Sequence, residues 1–148
     1  MLEISGGYMK KIVVACLLLA GCTSQVSLDN AKPVPQDRIL SFAEYNPNYA
    51  KVEITRDSGI LGSACYLTVI TQDNKIIARF DTSEKATVYM PEGDWMLAVA
   101  PDPQGRGICD DALGFTPPFE LKHISKDKPN RFRISSRMFR RPQLFIMK

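Results

Sequence analysis

The sequence predicts an all-β domain, an antiparallel sandwich or small barrel of about seven or eight strands with one short N-terminal helix. Three observations carry that expectation. From residue 51 onward apolar residues recur with period two, turn residues punctuate the chain at short intervals, and no long 3.6-residue period follows. Short strands without crossover helices point to antiparallel pairing.

The elements follow in chain order. Ile39, Leu40 and Ala43 share a face, so a short helix is expected over 37–44, broken by Asn46-Pro47-Asn48. Lys51-Val52-Glu53-Ile54-Thr55 alternates as a half-buried strand and ends at Asp57-Ser58-Gly59. Cys65–Val69 and Ile76–Phe80 form a hairpin around the polar turn 72–75. Thr87–Met90 and Trp95–Val99 form a second, around Pro91-Glu92-Gly93-Asp94. Phe119–Lys122, Arg131–Ile134 and Leu144–Ile146 complete the strands.

At 148 residues, with 45% apolar and 24% charged side chains, the chain has the composition of one globular domain, not of a disordered protein. Upstream of that domain the pattern changes. Lys10-Lys11 precedes the apolar run 12–20 and then Gly21-Cys22, the charged, apolar and small-residue order of a secretory leader. The run is about half the roughly 20 residues a membrane span requires.

Leu19-Ala20-Gly21-Cys22 resembles the lipobox of bacterial lipoproteins, in which the cysteine thiol is acylated and becomes the new N-terminus. The resemblance implies a signal peptide over 9–21, lipidation of Cys22 and attachment to a membrane surface. Thr23, where an Asp would retain such a protein at the inner membrane, implies the periplasmic face of the outer membrane. Residues 1–8 stand outside the leader, and Met9 is the better start; Gly6-Gly7 fits a translated ribosome-binding site. The polar segment 22–36, with Pro33 and Pro35, reads as a flexible tether, which assigns 37–148 to the sandwich. More weakly, Arg56-Asp57-Ser58-Gly59, the Cys-led strand and Met90-Pro91-Glu92-Gly93-Asp94-Trp95 resemble small all-β envelope lipoproteins of unassigned activity. That likeness implies a fold and no chemistry.

With Cys16 removed and Cys22 lipidated, Cys65 and Cys109 remain. An even pair in an oxidising compartment reads as a disulfide, ahead of two buried thiols or a metal site, whose spacing the sequence does not supply. His123, the single histidine, lacks the nucleophile and second base that a hydrolytic arrangement needs. Asp110-Asp111 reads as a solvated loop, Gly105-Arg106-Gly107 lacks the setting of a phosphate loop, and Trp95 reads as core. Arg56-Asp57-Ser58-Gly59 reads as an ion pair and tight turn. No cofactor or metal is expected.

Losing Lys10, Lys11 and Glu3 with the leader leaves 17 positive and 15 negative side chains, a balance that selects no partner. Their distribution is uneven, with nine Lys or Arg and one acid from Lys122 to the end. Arg131, Arg133, Arg137, Arg140 and Arg141, interleaved with apolar residues, read either as a contact for anionic lipid or lipopolysaccharide or as a solvated face. Export argues against nucleic acid. The expectation is therefore a lipid-anchored, non-enzymatic envelope protein that binds or has a structural role. An inhibitor lipoprotein is the alternative, because lysozyme inhibitors share a lipobox, a small β domain and a disulfide; their serine-and-lysine loop is not recognisable. An envelope enzyme comes third.

Overall fold

A computed structural model describes residues 25–59, 64–104, 109, 116–136 and 141–148. Its strands are β1 (Lys32–Pro33), β2 (Ala50–Arg56), β3 (Leu67–Thr71), β4 (Ile76–Phe80), β5 (Glu84–Met90), β6 (Gly93–Pro101), β7 (Glu120–Ile124), β8 (Asn130–Ser135) and β9 (Gln143–Ile146). They form a five-stranded sheet in the order β1-β5-β2-β8-β9 and a four-stranded sheet in the order β4-β3-β6-β7. The all-β, sandwich-like architecture expected from the alternation is present.

The alternation is what builds the core. Val52 and Ile54 of β2, Val88 and Met90 of β5, and Phe132 and Ile134 of β8 turn inward from the larger sheet. Val69, Ile77, Phe80, Leu97 and Ile124 meet them from the smaller one, each with no exposed surface. Burying a side chain of this size contributes roughly 1.5–3 kcal/mol, so this interleaved layer is the main favourable term.

Four expectations are corrected. The larger sheet is mixed, since β1 runs parallel to β5 and β2 parallel to β8. A parallel neighbour needs no crossover helix here, because between β2 and β8 the chain travels through the second sheet. The hairpin around 72–75 is present, with β3 antiparallel to β4 and Asn74 at φ 60° in the turn. The second expected hairpin is not: β5 and β6 lie in different sheets, and Pro91-Glu92 is a corner over the end of the core. Buried Met90 leads into it, Gly93 takes φ 132°, and the Trp95 indole N–H donates to the Pro91 carbonyl at 2.9 Å.

The helix expected over 37–44 is a single 3-10 turn, Gln36–Arg38. A helix of that length cannot repay its own nucleation. Its apolar residues seal a sheet edge instead: Ile39 bridges Ala78, and the Leu40 and Ser41 amides both donate to the Ile77 carbonyl. The last part of the expected tether also belongs to the domain. The Lys32 and Val34 amides donate to Ser83 and Lys85 carbonyls at 2.9 and 2.8 Å, and Ala31 and Val34 are buried. Two residues of strand leave no periodicity to read.

Candidate functional site

At one end of the sandwich, β2, β4 and β6 finish and β3 begins. Cys65, just before β3, is joined to Cys109, in the β6–β7 connection, with Cα atoms 5.3 Å apart. The disulfide expected from cysteine parity is therefore present. Beside it Arg56 is buried, and its Nη1 donates to the carbonyls of Cys65 and Phe80, both at 2.7 Å. One guanidinium thus ties the last residue of β2 to two points on the opposite sheet. Burial lowers its pKa, opposed by the charges of Asp81 and Glu84. The ion pair expected within Arg56-Asp57 is not formed; Asp57 faces Arg133 instead, at 3.4 Å.

Around the disulfide lies an open cleft of about 530 Å³, lined by Arg38, Tyr66, Arg79, Asp102 and both cysteines. Its cations are engaged by the fold. Arg38 makes a two-pronged pair with Glu84 at 2.6 and 2.8 Å and lies 4.8 Å above the Tyr66 ring. The hydrogen bond to Glu84 is the main reason its pKa is raised. Arg79 pairs with Asp102 at 3.1 Å. These groups join the segment before β2 and the β6–β7 connection to the sheets.

The basic stretch is placed differently from its sequence reading. Alternation along β8 does turn Arg131 and Arg133 outward, with Phe132 and Ile134 buried between them. The parallel register, however, sets Glu53 opposite Arg131, and their side chains meet at 3.2 Å. Hydrogen bonding from Lys51, then from Arg131, outweighs burial and holds the Glu53 carboxyl below its ordinary pKa. For Asp57 burial prevails over Ser135 and Arg133, and its pKa is raised. Arg133 also lies 5.9 Å from the Phe145 ring centre. Arg141 donates to the Thr116 carbonyl at 2.8 Å, while Arg137 and Arg140 lie outside the described residues. Cys22, Asp110, Asp111 and Gly105 to Gly107 lie outside them too.

His123 sits on the outer side of β7 with its Nδ1 2.7 Å from Asp94 on β6, both side chains largely exposed. Trp95 packs against the core, as expected. Among the described residues no group of three or more His, Cys, Asp or Glu side chains could hold a metal ion. No described helix is long and apolar enough to cross a membrane.

The sequence reading missed an aromatic groove of about 410 Å³ at the opposite end, where β2 begins and β5 finishes. Tyr45 and Tyr49 come from the turn around Pro47, and Tyr89 is an outward position of β5. Tyr45 and Tyr89 stand edge to face at 5.2 Å. The signal was two tyrosines flanking Asn46-Pro47-Asn48, aromatic rings in a segment with no core face of its own. No family model, curated protein or solved structure matches the chain.

Proposed function

We propose that this chain is the precursor of a lipid-anchored cell-envelope protein, cut before Cys22 and held by acyl chains on that residue, whose sandwich acts by binding. The observation that carries this reading is Lys10-Lys11, the apolar run and Leu19-Ala20-Gly21-Cys22 in that order. The Cys65–Cys109 bridge supports it, because such bonds persist in oxidising compartments. Thr23 favours the outer membrane. In the disulfide-end cleft Arg38 pairs with Glu84 and Arg79 with Asp102, so these charges hold the fold together there.

Labelling cells with a fatty-acid precursor and fractionating their membranes tests the proposal. Wild-type protein should carry label and stay with washed membranes, whereas Cys22→Ser should carry none and be released, since several acyl chains are needed for durable attachment. Retention of unlabelled Cys22→Ser in washed membranes would overturn the anchoring. Salt-dependent retention through Arg137, Arg140 and Arg141 is the residual form of the anionic-surface contact, because Arg131 and Arg133 already face carboxylates.

A further inference from the structure

We propose that the tyrosine groove binds a small, soluble quaternary ammonium ion, which gives the binding role proposed above a ligand and does not depend on the anchor. Tyr45 and Tyr89 meet edge to face at 5.2 Å with their planes at 90°, so one ring face and the part of the other beside it form two walls of a corner. Tyr49 belongs to the same lining. Tyr45 is 73% exposed and Tyr49 36%, so both rings are open to a ligand. At about 410 Å³ the groove has the size of a small-molecule site.

Charge decides the class of ligand. Ring faces are the negative side of the aromatic quadrupole, and Glu44 is the one formally charged side chain among the described lining residues. Both attract a cation. Three lysines border the groove, and each is engaged outside it. Lys51, opposite Tyr89 in the β2–β5 register, pairs with Glu53 at 2.9 Å, and Lys126 donates to the Pro47 carbonyl at 2.8 Å. Lys75 lies 5.5 Å from the centre of the Phe42 ring, so the fold already sets an ammonium against one ring of this loop.

Hydrogen bonding decides which cation. A hard metal ion needs several oxygen ligands, and the lining has one carboxylate. A primary ammonium or a guanidinium brings several N–H donors that lose water on binding and need acceptors in return. Of the acceptors here, the Asn46 Oδ1 already takes the Asn48 N–H at 2.9 Å. A quaternary ammonium has no N–H to satisfy, and its methyl groups pack on ring faces. The phosphate of a phosphocholine headgroup would bring negative charge towards Glu44, which favours a simple, net-positive ion.

The corner is set before a ligand arrives. Phe42 takes φ 60°, a costly conformation for a bulky residue. Its carbonyl accepts from the Tyr89 amide at 2.8 Å, and its ring meets Trp95 edge-on at 5.5 Å. The segment that carries Tyr45 is thereby fixed to the strand that carries Tyr89, which reduces the ordering needed on binding.

Choline and its uncharged isostere, in which carbon replaces nitrogen, share a shape and differ in charge. The protein purified in a non-ionic detergent should bind choline saturably, with amide NMR shifts centred on residues 40–49 and 89. It should bind the isostere, and phosphocholine, at least about tenfold more weakly. Tyr45→Leu keeps apolar bulk and removes the ring; it should weaken choline at least about fivefold, with the thermal midpoint unchanged because the ring is exposed. Glu44→Gln should weaken choline at low salt and make binding less sensitive to added salt. No saturation, equal binding of the isostere, undiminished binding by Tyr45→Leu, or preference for phosphocholine, methylguanidinium or a lysine peptide would overturn the inference. Because the titration is done in solution, its failure is distinct from a failure of Cys22→Ser to leave the membrane.

Discussion

Arg56 is the residue on which the two sheets most directly depend. It stands at the end of an alternating strand, yet it is buried, and it donates to the carbonyls of Cys65 and Phe80 on the opposite sheet. A buried acceptor left unsatisfied costs about 1–3 kcal/mol. Arg56→Met, which fills similar space without a donor, should therefore lower unfolding free energy by about 2–3 kcal/mol in urea titrations; an unchanged midpoint would show that water replaces the guanidinium. Glu53 offers a milder case with a pH signature. Its folded pKa is below its unfolded one, so its contribution is full above the ordinary carboxylate range and is lost as pH falls through the lowered value. Glu53→Gln should cost up to about 1 kcal/mol at neutral pH, and the gap from wild type should close in acid. A gap that widened in acid would contradict the assignment.

At the scale of elements, what was legible depended on whether a segment buries one face. Ile76–Phe80 and the Lys51–Thr55 core of β2 were readable because their inward residues are β-branched or aromatic. Glu84 and Lys85 concealed the first turn of β5, since Glu84 is buried through its pairing with Arg38 and not through hydrophobicity. Lys32–Pro33 was too short to show a period, and 37–44 carried a helical spacing whose apolar residues found a better partner at the β4 edge. The disulfide followed from parity and compartment, but the neutralisation of Arg131 and Arg133 did not, because the parallel β2–β8 register that creates it is non-local. The tyrosine groove was hidden for the same reason: its parts are some forty residues apart, Tyr45 against Tyr89. The β5–β6 corner makes its own prediction. Gly93 sits at φ 132° with nothing within 4 Å of where a Cβ would stand. Gly93→Ala should thus cost about 1–3 kcal/mol through backbone strain alone, measurable in the thermal midpoint, and a neutral outcome would mean that the corner relaxes freely.

For the whole molecule, the sandwich has one core, a charged network and a covalent staple at the end where the chain leads into β1, and exposed tyrosines at the other. The staple closes a separation of 44 residues between the start of β3 and the β6–β7 connection. Replacing Cys65 and Cys109 together by Ala should lower stability by about 2–5 kcal/mol. Cleavage and acylation at Cys22, together with the disulfide, are read at once by intact-mass spectrometry, under non-reducing conditions, of the protein extracted from washed membranes. The expected species is a chain beginning at Cys22, heavier by its acyl groups, two hydrogens lighter than the dithiol, and yielding a peptide that joins Cys65 to Cys109. A chain that retains its leader with Cys22 unmodified, and with Cys65 and Cys109 open to alkylation, would contradict it.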